Sequence, residues 1–211
     1  MEPSSGLRER KKQRTRRALI AAAARLFTEK GYLQTTVAEI AAAAEVSSST
    51  LFNYFAGKDD ILFADDRYRL DTALRFIAER DPDEPPSTFM DRLAEQLIAA
   101  FTPTDGGTDE VTGIPNSLRL QLITTVPELQ ARALRLVQEA QRQLAEALHA
   151  AYPDQVDRLT AAAMVGAMMG AAQSARQVSL ERNELPDQVI AATRHGIEVA
   201  MGGVRAAALR P

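Results

Sequence analysis

The chain has 211 residues and a net charge of −3, and this length is enough to bury an apolar core in one large domain or two small ones. It contains no cysteine, which excludes disulfides, thiolate nucleophiles and cysteine zinc sites, and its 37 alanines with 5% aromatic residues favour a helical protein. The longest run of small apolar residues, 161–172, has 12 residues against the roughly 20 of a membrane-spanning helix, and no apolar signal segment adjoins the basic N-terminus, so we expect a cytoplasmic protein that does not enter a membrane.

The charge is unevenly distributed along the chain. Residues 1–60 include ten basic and seven acidic residues, a net +3, whereas the remainder has 15 basic and 21 acidic residues, a net −6. Seven of the basic residues lie between Arg8 and Arg17. Such a block is typical of a solvated tail that becomes ordered on nucleic acid or another anionic surface, and also of a tail that serves only solubility.

Two helices are predicted at the start of the chain. Apolar residues at helical spacing predict the first over about 13–30, and Gly31 follows as a stop signal. Thr36 and Glu39 then form the pattern of a capping box, in which each side chain bonds the backbone amide of the other residue. This pattern predicts that a second, short helix begins at Val37.

A third, short helix follows the serine-rich run 47–50 and ends before Gly57. With the two preceding helices it has the outline of a helix-turn-helix unit. Its surface has hydroxyl and amide groups where a soluble helix usually has Glu and Lys, and these residues are Ser47, Ser48, Ser49, Thr50, Asn53 and Tyr54. Small hydroxyls allow close approach to phosphates, and asparagine suits a base edge in the major groove. The serines also fit a role as cap and turn residues alone.

Lys58 lies at the start of the next predicted helix. The helix dipole disfavours a cation there unless the cation has an anionic partner. A DNA phosphate would be such a partner, and an ion pair with the adjacent Asp59 is the alternative.

The rest of the chain predicts further helices and no strand. They span about 58–80, 87–101, 115–124, 127–151 and 153–181, with a last helix from Pro186 and a loop at 103–113. The predicted fold class is therefore all-α with about nine helices: an N-terminal three-helix helix-turn-helix domain, and a C-terminal helical domain for ligand binding and dimerisation.

One set of residues between 13 and 62 points to a known family. The set is Leu26-Phe27, Gly31-Tyr32, Thr35-Thr36-Val37, Ile40-Ala41, Ala44-Glu45-Val46-Ser47, Thr50-Leu51-Phe52-Asn53-Tyr54-Phe55, Lys58 and Leu62. It resembles the DNA-binding domain of TetR-type transcriptional regulators. The resemblance implies an all-helical homodimer, usually a repressor that leaves its operator when a small molecule binds. It divides the chain into a basic arm (1–12), a helix-turn-helix domain (13–57) and a ligand-binding and dimerisation domain (58–211).

The resemblance also implies roles for individual residues. By matching position, phosphates would be held by Thr36, Tyr54 and Lys58, and bases or backbone would be faced by Ser47, Ser48, Ser49 and Asn53. From the basic block we add Lys12 and Arg14 as DNA-binding residues.

Two residues depart from the family pattern. Glu45 replaces the usual glycine of the turn, which costs on the order of 1 kcal/mol if this residue is left-handed. Phe52 replaces the usual tyrosine and lacks its hydroxyl, which leaves a packing role or a contact with a thymine methyl group.

The sequence gives little support for a metal-binding or catalytic site. Glu146 and His149 have the spacing of carboxylate-bridged metal bundles, but His195 has Ala192 at the matching position, so the second copy of the motif is missing. No catalytic cluster stands out either. We predict no metal, no cofactor and no enzymatic activity.

The ligand and dimer assignments rest on helices in the C-terminal half. Polar groups near apolar runs and a methionine-rich helix give the candidate ligand residues Asn116, Arg119, Met168, Gln173 and Arg176, for which core packing and solvent exposure are the alternatives. The segment 126–129 looks like the subgroup with acyl-CoA-like ligand domains, so the predicted effector is a small apolar or amphipathic molecule. The apolar stripe of the last helix and two glycines before it give the candidate interface Gly166, Gly170, Ile190, Ile197 and Met201.

These patterns predict a ligand-responsive DNA-binding regulator, a repressor that binds a palindromic operator as a homodimer. Two recognition helices would lie one turn of duplex apart, ~34 to 36 Å, and ligand would tilt the long helix beginning at Lys58. One alternative is an architectural DNA-binding protein indifferent to sequence. The other, less favoured, is a helical-bundle enzyme or carrier.

Overall fold

The computed structural model describes residues 3–64, 66–101, 114–182 and 184–208, and over these ranges the chain forms ten α-helices and no strand. The helices are α1 (Pro3–Lys30), α2 (Val37–Ala43), α3 (Ser48–Phe52), α4 (Lys58–Leu62), α5 (Asp66–Ala78), α6 (Pro86–Phe101), α7 (Asn116–Thr125), α8 (Pro127–Ala151), α9 (Arg158–Glu181) and α10 (Pro186–Ala208). The all-α prediction is confirmed. The predicted loop at 103–113 lies outside the described residues.

The basic segment differs from the predicted tail. Residues 3–12 are the first turns of α1, which begins at Pro3 instead of near residue 13. Arg, Lys, Glu and Gln are good helix formers, so a segment rich in them continues the helix without an apolar stripe of its own. The cations are therefore arranged on a helix.

The helix predicted over 58–80 is two helices. The first ends at Leu62, and Phe63 caps it with a φ of −101° and a ψ of 16°. Ile61, Leu62 and Phe63 are all buried. Consecutive residues on a straight helix point about 100° apart, so the turn at Phe63 helps all three side chains reach apolar surroundings. This break accounts for the tenth helix.

The predicted start of α9 also needs correction, because the helix begins at Arg158 and not at Pro153. Asp157 is its N-cap and accepts a hydrogen bond from the Thr160 amide at 2.6 Å. A carboxylate in this position satisfies an amide that the first turn leaves free, which fixes where the helix begins.

The chain divides into two compact units. The first consists of the described residues within 1–68 and 103–134, so it extends beyond the three predicted helices of 13–57. Its apolar centre includes Leu19 of α1, Ile40 of α2 and Leu51 of α3, all fully buried. α2 packs against both α1 and α3, and α4 against α1.

The second unit consists of the described residues within 69–102 and 135–211. α10 packs on α9 and on α6. Fully buried side chains of this core include Phe89 of α6, Leu148 of α8 and Val165 of α9. Within the described ranges, no helix is both long enough and apolar enough to cross a membrane.

Candidate DNA-binding interface

The capping box predicted at the start of α2 is present. The Glu39 carboxylate accepts from the Thr36 amide at 2.8 Å, and the Thr36 hydroxyl accepts from the Glu39 amide at 3.3 Å. Lys30, the last residue of α1, also donates to this carboxylate. The bond from Lys30, followed by the bonds from Thr36, lowers the pKa of Glu39 to about 2. Glu39 therefore joins the end of α1 to the start of α2.

The turn between α2 and α3 is left-handed at Glu45, which has a φ of 57°. The Val46 amide donates to the Ala41 carbonyl and the Glu45 amide to the Ala42 carbonyl, both at 3.0 Å. This pair of bonds is a Schellman motif, in which the left-handed residue is usually glycine. The strain predicted for Glu45 therefore has its structural basis, and the helix-turn-helix forms in spite of it.

α3 is a five-residue helix with a buried side and a polar side. The Ser47 hydroxyl accepts from the Thr50 amide at 3.0 Å and so caps the helix. Leu51 and Phe55 are buried beneath it. The predicted DNA-facing residues have at least partly accessible side chains, with Ser47, Ser49 and Asn53 exposed and Ser48 and Tyr54 half-buried.

Phe52 lies on the accessible side of α3 with 56% of its surface exposed. The packing role considered for it from the sequence does not fit this exposure. Of the two roles considered for Phe52, the exposed ring beside Asn53 fits the apolar contact with a thymine methyl group.

Lys58 has partners within the chain. Its ammonium group donates to the carbonyls of Tyr32 at 2.7 Å and Thr35 at 3.0 Å, with a longer bond to Leu33 at 3.5 Å. The same nitrogen lies 4.3 Å from the centre of the Tyr32 ring. Burial lowers the pKa of Lys58, and the charge of Asp59 opposes this effect. Lys58 therefore holds the loop between α1 and α2, a contact that neither interpretation made from the sequence included.

The predicted basic contacts Lys12 and Arg14 are exposed on α1. Arg14 also lines an open groove of about 570 Å³, together with Arg25 of α1 and Glu45 of the turn. Thr36, the third predicted phosphate contact, is exposed at the N-terminus of α2. The first unit thus places accessible cations, the α2 N-cap and the polar side of α3 within one compact body.

Sequence reasoning missed the acidic partners of two arginines in the first unit. Arg132 of α8 bonds both Asp59 and Asp60 of α4, with 2.9 Å to the Asp60 carboxylate. One terminal guanidinium nitrogen of Arg119 of α7, a residue predicted to bind ligand, donates to both carboxylate oxygens of Asp66, at 2.5 and 2.6 Å. The charge of Arg119 is therefore already compensated within the protein.

Three of the other predicted ligand residues lie on α9. Met168 is fully buried in the core of the second unit, and Gln173 and Arg176 are half-buried on the same helix. The side chain of Asn116 lies outside the described residues. A groove of about 390 Å³ in this unit is lined by other residues, among them Gln138 and Arg142 of α8.

The predicted interface residues fall into two groups. Ile197 and Met201 are only 4% and 2% exposed because they pack into the core of their own unit, and Ile190 is half-buried. By contrast, a Cβ added to Gly166 or Gly170 would have no atom within 4 Å, so their side of α9 is open.

Two family models match this chain. Residues 19–64 match the family model of bacterial regulatory proteins of the TetR family, and residues 108–198 match the model of the MftR C-terminal domain.

Two curated regulators are similar in sequence. The HTH-type transcriptional regulator TcmR of Streptomyces glaucescens is 32% identical over 145 residues, which cover 69% of this chain and 63% of that protein. HbdR of Aromatoleum sp. (strain CIB), also an HTH-type transcriptional regulator, is 47% identical over 57 residues, or 27% of this chain and 25% of that protein. The matched region thus spans less than two thirds of the length of either relative.

Solved structures share the fold. The fatty acid degradation regulator FadR of Bacillus halodurans superposes with a TM-score of 0.55 over 90% of this chain and 96% of that one. A TetR-family regulator of Mesorhizobium loti gives 0.60 over 92% and 96%. Both are 17% identical to this chain. Likeness at this identity concerns the fold alone.

Proposed function

Because this chain belongs to the TetR family of bacterial regulatory proteins, we propose that it is a transcriptional repressor that binds a palindromic DNA operator as a homodimer and is released by a small molecule. It works in the cytoplasm, and it has no enzymatic activity. The observation that carries the proposal is α3, whose buried Leu51 fixes the helix while hydroxyl and amide groups occupy its accessible side. A short helix with this division suits the major groove.

Charge supports the proposal. Residues 1–60 carry a net +3 in a chain of net −3, so the part that contains α1 to α3 is the part suited to a polyanion. Phosphate contacts by Lys12, Arg14 and Thr36 position the protein, and contacts from α3 to base edges give sequence preference. Lys58 acts on phosphates indirectly, through the loop that precedes Thr36.

Dimerisation uses the open side of α9 and α10. Gly166 and Gly170 allow a second helix to approach closely, and Val199 of α10 is 64% exposed. Association through this side sets two recognition helices ~34 to 36 Å apart, so that they enter successive major grooves.

The effector is a small apolar or amphipathic molecule that binds the C-terminal domain. Acyl-CoA compounds are the first class to test, on the basis of the segment 126–129. The effector binds more tightly to the protein state that has low affinity for DNA. This is required because a ligand shifts an equilibrium only through its different affinity for the two states.

Selection of binding sites from random duplexes tests the function directly. A palindromic consensus supports the dimeric regulator, binding without a consensus supports the architectural alternative, and no binding leaves the helical-bundle enzyme or carrier. The proposal fails in the second and third cases.

Two variants then separate base reading from phosphate binding. We expect Asn53→Ala to change the preferred base in each half-site, whereas Lys12→Ala lowers affinity for all duplexes about equally. Competition between substituted duplexes measures both effects. A Lys12→Ala protein with altered base preference and unchanged overall affinity would contradict these roles.

A further inference from the structure

α4 is too short to hold its own position. It has five residues, and its N-cap is Gly57, which has no side chain to accept a bond from the first turn. Helices of this length are unstable on their own, so their orientation depends on contacts with the rest of the protein. Lys58, Asp59 and Asp60 supply polar contacts at its first turn.

Two of these side chains form hydrogen bonds with the segments before α2 and after α3. Lys58 bonds the carbonyls of Tyr32 and Thr35 in the loop that leads into α2. Asp60 accepts from the amide of Ala56, in the segment that follows α3, at 3.1 Å. The first turn of α4 therefore touches the chain both before α2 and after α3.

Arg132 of α8 in turn holds this first turn. One of its terminal nitrogens bonds Asp59 and the other bonds Asp60, so a single guanidinium spans both carboxylates. The guanidinium carbon lies 5.4 Å from the centre of the Phe63 ring, and 27% of the side chain is exposed. The planar guanidinium lies between two carboxylates and an aromatic ring, so it constrains the orientation of these groups as well as neutralising charge. An ammonium group is a point charge and cannot orient them in this way.

The electrostatics of Tyr32 show that these groups share one environment. Burial, followed by the negative charge of Asp59, raises the pKa of Tyr32 to about 12, and the positive charge of Arg132 acts in the opposite direction. Tyr32, in the loop before α2, is therefore close enough to Asp59 of α4 and Arg132 of α8 for their charges to affect its pKa.

We propose that Arg132 is a positioning residue for DNA binding, which orients α2 and α3 by fixing the first turn of α4 between α8 and the two flanking loops. The proposal rests on the proposed function, since it assigns a role within the same DNA-binding unit. Arg132 acts through Asp59, Asp60 and Lys58 and does not itself contact DNA.

The test compares Arg132→Met with the matched variant Arg142→Met. Arg142 lies on the same helix, but its partner Glu139 is three residues away on the surface and 65% of the Arg142 side chain is exposed. Hydrogen exchange is measured at the amides of Thr35, Thr36 and Ala56, together with affinity for the duplex recovered by selection. We expect Arg132→Met to speed exchange at these amides and to weaken binding on the order of tenfold. Arg142→Met should change neither.

A conservative variant separates positioning from simple charge. Arg132→Lys keeps the positive charge but presents a point charge in place of a fork, so it should restore only part of the protection and affinity. If Arg132→Met fails to fold, Asp59→Asn removes one of the two ion pairs and should give smaller changes in the same direction.

The outcomes distinguish this proposal from the proposed function. Arg132→Met, or Asp59→Asn in its place, with a lower melting temperature but unchanged exchange at Thr35, Thr36 and Ala56 would show a merely structural ion pair and overturn the inference. If the unmodified protein binds no duplex, the proposed function fails. The exchange measurement then still decides whether Arg132 orders the loops around α2 and α3.

Discussion

Glu45 has a left-handed backbone conformation that is unfavourable for a residue with a side chain. At a φ of 57° a residue with a Cβ is strained, whereas glycine adopts this region freely. We expect Glu45→Gly to stabilise the protein by about 1 kcal/mol, which raises the melting temperature by roughly 2 to 4 °C for a chain of this size. Glu45→Ala is the control, because it removes the charge and keeps the strain. Equal melting temperatures for the two variants would show that the turn is not strained.

We expect the stability of the helix-turn-helix to depend on the ionisation of Glu39. Its pKa falls to about 2 in the folded chain, below its ordinary value of 4.5, because Lys30 and Thr36 bond the charged form. A lowered folded pKa means that the stabilisation is complete above about 4.5 and is lost as the pH falls toward 2. Glu39→Gln should therefore reduce stability near pH 7 and lessen its fall between pH 5 and pH 2. Urea unfolding at several pH values measures this, and parallel curves for the two proteins would contradict it.

Residues with local partners could be predicted from the sequence, and residues with distant partners could not. Thr36 and Glu39 are three residues apart, and the left-handed conformation of Glu45 agrees with the glycine that the resembled family has at this position of the turn. Lys58 bonds a carbonyl 26 residues away, and Arg132 bonds an acid 72 residues away. Spacing in the sequence carries no information about such contacts, because they depend on how helices pack.

At the scale of elements, periodicity predicted the helices well but not where a helix breaks. The predicted span of α8 agrees with the observed helix Pro127–Ala151, which begins at a proline as expected. The break at Phe63 was missed because nothing in the sequence there is a helix breaker. It depends on the burial of three consecutive apolar residues, which is a property of tertiary packing.

Two glycines give opposite predictions for the α9 and α10 pair. A Cβ at Gly196 of α10 would lie 2.6 Å from the Ala171 carbonyl oxygen of α9, so Gly196→Ala must separate the helices and should cost about 1 to 3 kcal/mol. A Cβ at Gly170 meets no atom within 4 Å, so Gly170→Leu should leave the fold of a single chain intact.

The Gly170→Leu variant also tests the dimer. If the open side of α9 is the interface, Gly170→Leu should give folded monomers, because the larger side chain prevents close approach of the partner helix. Sedimentation reports the mass, and circular dichroism reports the helix content. A Gly170→Leu protein that remains a stable dimer would place the interface on another surface.

For the whole molecule, the sequence predicted fold class and family more fully than ligand chemistry. DNA recognition uses polar groups at fixed positions of a short unit, so candidate residues such as Asn53 can be proposed from spacing. In the second unit the methionine-rich stripe supplies core packing, with Met168 fully buried. Apolar packing of this kind fixes a shape without a distinctive residue pattern, so the sequence does not show which side chains would contact a ligand.

The release of DNA by a small molecule is a prediction about the molecule as a whole. An apolar or amphipathic effector, with long-chain acyl-CoA as the first compound, should lower operator affinity by about five- to 150-fold, the range of a typical allosteric coupling of 1 to 3 kcal/mol. Titration of the compound against a labelled duplex complex measures this loss. Because coupling is reciprocal, saturating duplex must weaken binding of the compound by the same factor. Calorimetry with and without duplex gives the second value, and a short-chain acyl-CoA serves as the matched control for the acyl chain. A compound that binds tightly but leaves operator affinity unchanged has no differential affinity for the two states and is not an inducer.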